Sequence, residues 1–71
     1  MPMVLSLLET AKELRLSNDT TTKLLELGEI YAYRDGRNWK VPKTLLAKYV
    51  EERAIKESKA RKKAYEEGTH D

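Results

Sequence analysis

The chain contains no cysteine, and its one histidine, His70, is the second residue from the end. The missing cysteines exclude a disulfide framework and cysteine-ligated zinc, and they suit a reducing compartment. A histidine-centred catalytic or metal site has no partner to build on. No apolar run approaches the ~20 residues that a membrane span needs, and no signal-peptide pattern is present. No internal repeat is visible. The chain offers no nucleophile–base pair, no phosphate loop and no metal cluster, so an enzyme is the least favoured reading and no cofactor or metal is expected. Its carboxylates fall on helix surfaces, where solvated pairing such as Asp19 with Lys23 is the usual explanation.

What remains is one small, charged domain of 71 residues. A chain this short buries only ~60% of the surface its unfolded form exposes, so a single core cluster and modest stability are expected. Charged residues make up 37% of the sequence, yet the net charge is only +2. The sign is unevenly spread: residues 1–33 carry a net −2 and residues 34–71 a net +4. Two blocks stand out, residues 34–48 at +4 and residues 53–63 at +5. Positive blocks point to a polyanion partner, against the plainer alternative of a solvated lysine-rich surface.

The stretch that organises the chain is Ser17 to Gly28, SNDTTTKLLELG. Ser17 or Asn18 supplies an N-cap, and Gly28 closes the helix because it takes the left-handed conformation at no steric cost. Leu24, Leu25 and Leu27, with Thr21 one turn earlier, form the stripe to be buried, and Asp19, Thr22, Lys23 and Glu26 stay outside. Threonine is a mediocre helix former, so the run Thr20-Thr21-Thr22 is not there for helix stability. It places hydroxyls beside the free N–H groups of a helix start, where phosphates and base edges can be met. The alternative is that these residues only cap and pack.

The rest of the chain fits around this helix. Met1 to Leu5 is a brief edge strand or a lead-in. Ser6 and Glu9 form a capping box, and Leu7, Ala11 and Leu14 recur at helical spacing, which predicts an amphipathic helix from Leu7 to Leu14. Arg15-Leu16-Ser17 is a tight turn, giving a helix-turn-helix pattern in which the first helix braces the second. After Gly28 the period changes. Residues 29–34 alternate, Asp35-Gly36 is a hairpin cue, and Trp39-Lys40-Val41 is a second strand ended by Pro42. This predicts a β-hairpin with Arg37 and Asn38 at its tip and Arg34, Arg37 and Lys40 clustered on it. A lone hairpin is marginal in water, so it should lie against the helices, burying Trp39 and one tyrosine; core packing of Trp39 is preferred over base stacking. From Lys43 a third helix follows, with Leu45, Leu46, Tyr49, Val50 and Ala54 as its buried stripe. Past Ile55 the apolar residues thin out, so the last third is expected to be frayed or ordered by DNA or another protein, with Gly68 to Asp71 a loose end.

These residues resemble the excisionase-type, MerR-like winged helix-turn-helix family. The resemblance runs from about Leu5 to Val50. It is carried by Ser6, Glu9-Thr10-Ala11, Ser17 with Thr20, Gly28-Glu29, Tyr33-Arg34, Gly36, Trp39-Lys40-Val41-Pro42 and Leu46 with Tyr49. It departs at Arg15, which stands where the family often has glycine, and in the basic extension after Val50. The resemblance implies a mainly α fold with a small β-hairpin: a winged helix-turn-helix over residues 1–53, followed by a basic helical or frayed extension over residues 54–71. It implies that Ser17 to Leu27 enters a major groove and that the hairpin grips the backbone or a neighbouring minor groove. The expected DNA contacts are Ser17, Asn18, Thr20, Thr21, Thr22, Lys23, Arg34, Arg37, Asn38 and Lys40.

The expected function is sequence-specific binding of double-stranded DNA as an architectural factor in site-specific recombination of a phage or mobile element. The expected partners are the duplex, further copies of the chain bound side by side, and an integrase met through the C-terminal extension. The expected location is the bacterial cytoplasm, on the host nucleoid. Alternatives on the same fold are a MerR-like transcriptional regulator and a phage packaging subunit; the apolar seam of Ala54, Ile55, Ala60 and Ala64 is weak for dimerisation. An alternative of another class is a protein-interaction adaptor or antirepressor, for which Glu9, Glu13, Glu26 and Glu29 leave room.

Overall fold

The structure is a computed structural model, and it describes residues 3–68. The two short helices repeat one design. α1 (Leu7–Leu14) starts at Ser6, whose hydroxyl accepts the Glu9 N–H while the Glu9 carboxylate accepts the Ser6 N–H. α2 (Asn18–Glu26) starts at Ser17, whose hydroxyl accepts the Thr20 N–H. In each helix a fully buried threonine donates its hydroxyl back to the capping serine's carbonyl, Thr10 to Ser6 at 2.8 Å and Thr21 to Ser17 at 2.9 Å. These hydroxyls can be buried because their one donor proton is satisfied locally. α1 packs on α2 and also contacts the sheet.

Both helices also end alike. After α1 the Arg15 N–H bonds to Lys12 and the Leu16 N–H to Ala11; after α2 the Gly28 N–H bonds to Leu25 and the Glu29 N–H to Leu24. This is the paired Schellman pattern, which needs a left-handed residue. That residue is Arg15 at φ 56° in one case and Gly28 at φ 78° in the other.

Three strands form one antiparallel sheet in the order β1-β3-β2, with β1 Val4–Leu5, β2 Tyr33–Asp35 and β3 Asn38–Pro42. β1 pairs with the end of β3, Leu5 opposite Val41, so the lead-in is an edge strand. β2 pairs with its beginning, Arg34 opposite Trp39 and Asp35 opposite Asn38. Gly36 and Arg37 are therefore the two turn residues, and Asn38 belongs to the strand rather than the tip. Gly36 has φ 65° while Arg37 stays out of the positive region, the glycine-first arrangement of a II′ hairpin turn.

The core is Leu5, Leu25, Ile30, Val41 and Leu46, with Leu14, Leu24, Trp39 and Tyr49 packed at its margin. Burying a side chain such as Ile30 stabilises by about 1.5–3 kcal/mol. The strand expected from residue 29 begins only at Tyr33, because Ile30 turns inward to the core between Gly28 and the sheet. Tyr31 and Tyr33 are both more than half exposed, so no hairpin tyrosine fills the core; Trp39 alone packs there. Leu27 is 70% exposed, since it falls past the last helical residue and leaves the stripe that Thr21 and Leu25 define. Val50 and Ala54 are exposed as well, so the buried stripe of the third helix stops at Tyr49.

α3 (Lys43–Gly68) is one continuous helix of 26 residues, about 39 Å at ~1.5 Å per residue. The Lys43 N–H bonds to the Met3 carbonyl, tying the start of the helix to the lead-in of β1. Every residue from Glu51 to Gly68 is exposed. Gly68, expected in the loose end, is helical; residues 69–71, His70 among them, lie outside the described residues, as do residues 1–2. No helix is long and apolar enough to cross a membrane among the described residues. The molecule is thus three helices, mostly α, around a small antiparallel sheet.

Candidate nucleic-acid interface

α2 presents its residues in a graded way. Thr21 and Leu25, one turn apart, are buried. Leu24 and Thr22 flank them and are half-buried. Ser17, Asn18, Asp19, Thr20, Lys23 and Glu26 are exposed. Of the ten expected contacts, Thr21 must be withdrawn. It has no exposed surface, and its hydroxyl is spent on the Ser17 carbonyl. Ser17 and Thr20 remain at the surface but are bound to each other, the Ser17 hydroxyl donating to Thr20 Oγ1 at 2.9 Å. That leaves the Thr20 hydroxyl proton free to donate outward.

Asp19 lies in the first turn of α2 and is exposed. A carboxylate there is favoured by the helix dipole, and it repels a phosphate approaching the same N–H groups. The exposed end of α2 is therefore chemically suited to neutral polar groups and amino groups rather than to phosphate. Of the two readings that the threonine run left open, capping and packing describes Thr20, bonded to the N-cap serine, and Thr21, which is buried, and Thr22 alone makes neither contact.

The hairpin is the cationic part. The Arg34 guanidinium lies over the Trp39 ring at 4.6 Å from its centroid, and Arg34 Nη2 donates to the Arg37 carbonyl at 3.4 Å. A cation held over an indole face is stabilised by about 0.5–1 kcal/mol at an exposed site. Trp39 is therefore held both by its packing at the core margin and by Arg34 over its ring. Arg34 is still exposed, but its direction is set by this stacking. Arg37 and Asn38 are exposed, while Lys40, paired with Tyr33, is half-buried. The structure thus leaves two exposed groups on separate elements, Ser17, Asn18, Thr20 and Lys23 at the start and outer side of α2, with Thr22 at the edge of that group, and Arg34, Arg37 and Asn38 at the end of the hairpin.

The exposed cation that immediately precedes α2 in the chain was not among the expected contacts. Arg15 sits in the turn between α1 and α2, two residues before Ser17, and its left-handed backbone keeps it in that turn. The departure from glycine was the one signal of it in the sequence. Farther away, Arg53 Nε bonds to Glu57 Oε2 at 2.6 Å and Arg53 Nη1 to the Tyr49 hydroxyl at 3.3 Å. The hydrogen bond to Glu57 and then that to Tyr49 hold the guanidinium above its ordinary range, and the bond from Arg53 holds the Glu57 carboxyl below its own. Both groups are exposed, so solvent screens the pair and it adds little to stability.

Among the described residues no cluster of histidine, cysteine or carboxylate side chains could hold a metal ion. Comparison with known families, curated proteins and solved structures finds no match for the chain.

Proposed function

We propose that this chain is a sequence-specific double-stranded DNA-binding protein built as a winged helix-turn-helix, and that it acts as an excisionase-type architectural factor in the recombination of a phage or mobile element. One observation carries the reading. A helix braced on its neighbour leaves Asn18, Asp19, Thr20 and Lys23 in water, and the next exposed element of the chain is a hairpin tipped by Arg37. The major groove of a duplex is ~12 Å wide and admits a helix. In this reading α2 enters it. Thr20, Thr22 and Lys23, with Asn18 and Ser17, meet base edges and set the register. Arg34, Arg37, Asn38 and Lys40 hold phosphates. Phosphate contacts position a protein on DNA, and base contacts specify the sequence. No bond is made or broken; the protein works by fixing the path of the duplex, and adjacent copies bind side by side.

The two element roles give different mutational signatures in a gel-shift series run across salt concentrations. Thr22→Ala lowers discrimination between preferred and unrelated sites, by on the order of 1 kcal/mol for one lost polar contact. Arg37→Ala weakens all sites alike and flattens the slope of log affinity against log salt by about 0.9, the share of one phosphate. Thr21→Val, on the buried side of the same helix, leaves discrimination unchanged. An Arg37→Ala protein with unaltered affinity and salt slope would remove the hairpin from the interface. A wild-type chain that shifts no duplex at low salt would overturn the whole reading and favour the adaptor alternative.

A further inference from the structure

The second positive block, residues 53–63, contains six basic residues and one acid, Glu57. The helix sorts them. Arg53 is taken up by Glu57 and Tyr49, and the Arg61 guanidinium donates to the Ser58 hydroxyl at 3.0 Å. Both arginines and Lys56, with Glu57 and Ala60, line the shallow grooves where α3 runs past Leu14 on one side and Gly28 and Tyr31 on the other. Lys59, Lys62 and Lys63 line neither groove. They lie at i, i+3 and i+4, so they share one face of the helix. They make no hydrogen bond or ion pair among the described residues. Lys48, eleven residues earlier and also exposed, falls on the same side of the helix but is separated from the three by Glu52 and Ile55.

Three like charges at these spacings repel one another and weaken the helix that carries them. Glu66 and Glu67, one turn further on, are the carboxylates in reach of Lys62 and Lys63, and they form no ion pair with them among the described residues, so a partner of opposite charge relieves the cost further. A protein helix docking here would want an apolar seam, and this face offers Ile55 alone. A phosphate backbone needs no seam, because neutralising its charge and releasing its counterions supplies the affinity.

We propose that Lys59, Lys62 and Lys63 form a second phosphate-contacting surface, on the free half of α3, for the same duplex that α2 and the hairpin engage. This rests on the DNA-binding reading and extends it. The surface reads no bases, so it strengthens binding to every sequence alike.

The test is a salt titration of duplex binding with the full chain, comparing wild type, Arg37→Ala and the triple variant Lys59→Gln, Lys62→Gln, Lys63→Gln. The three lysines are exposed and touch no core residue, so the variant keeps the thermal midpoint of the wild type; circular dichroism checks this. The expected result is a slope shallower by about two to three than that of wild type, with the ratio of specific to non-specific affinity unchanged. Limited trypsin digestion gives an independent reading: saturating duplex slows cleavage within residues 59–63 of the wild-type chain. A triple variant with the wild-type slope, while Arg37→Ala flattens it, overturns this proposal and leaves the DNA-binding reading intact. Unchanged trypsin cleavage in the presence of duplex also overturns it. A wild-type chain that binds no duplex at low salt removes both.

Discussion

Arg15 and Gly28 occupy equivalent positions, each the left-handed residue that closes a helix, but only one of them is glycine. A side chain in that conformation costs about 1–2 kcal/mol, and glycine gives back roughly 0.5–1 kcal/mol through its larger unfolded-state entropy. Arg15→Gly should therefore stabilise the domain by about 0.5–1 kcal/mol. For a domain of this size that raises the thermal midpoint by several degrees, at roughly 4–8 °C per kcal/mol. Gly28→Ala should cost a similar amount, and for the same reason. A Cβ built there meets no atom within 4 Å, so the penalty is the backbone's alone. Calorimetry on the two variants should show shifts of opposite sign. A destabilised Arg15→Gly protein would mean that the guanidinium supports the turn by a contact worth more than the strain. The threonines make a related point at this scale. Thr20, Thr21 and Thr22 are identical in the sequence, yet one is tied to the N-cap serine, one is buried and one lies at the boundary. The phase of a 3.6-residue turn decides among them.

At the scale of elements, the helices were legible because their signals are local. A serine with glutamate three residues on marks a start, and glycine after a leucine run marks an end. α1 has the expected bounds, Leu7–Leu14, and α2 runs between its expected cap and Gly28. The sheet was less legible. Whether Ile30 continues an alternating strand or turns inward depends on Val41 and Leu46, which are distant in the chain. Hydrophobic periodicity sees neither. The pairing of Val4-Leu5 with Val41-Pro42 is likewise a long-range event, and a two-residue strand leaves no period to read. The hairpin itself was marked by Asp35-Gly36, and its turn offers a clean test. Gly36→Ala introduces no clash, since nothing lies within 4 Å of the added Cβ, but it forces φ 65° on a residue that disfavours it. With the same offset from glycine's unfolded-state entropy as at Gly28, we expect a net loss of about 0.5–1 kcal/mol, concentrated in the hairpin. If the hairpin holds phosphates, DNA affinity should fall for all sites together. Amide exchange should quicken in residues 33–40 before it quickens in α1. Uniform exchange throughout the domain would show that the hairpin and the helices open as one unit.

At the scale of the molecule, the chain is a small core with a long helix leading out of it, as its 56 × 23 × 18 Å extents show. The core residue of α3 is Leu46, in its first turn, with Tyr49 at the margin. Everything from Glu51 to Gly68 is in water, carried by helical hydrogen bonds and by exposed side-chain bonds such as Arg53–Glu57, Arg53–Tyr49 and Arg61–Ser58. Helices gain most of their stability from packing an apolar face rather than from propensity, so this half of α3 should contribute to helicity but not to the stability of the domain. Ending the chain after Ile55 removes half of the 26-residue helix and leaves the core, the sheet and the Tyr49–Arg53 contact in place. The midpoint of thermal unfolding should move by no more than a few degrees, while the helical signal at 222 nm drops with the residues lost. A fall in stability of ~2 kcal/mol or more, the size of a core deletion, would show that the free half of α3 folds back on the grooves beside Leu14 and Tyr31. The lysine face would then be a surface of the domain rather than of an arm.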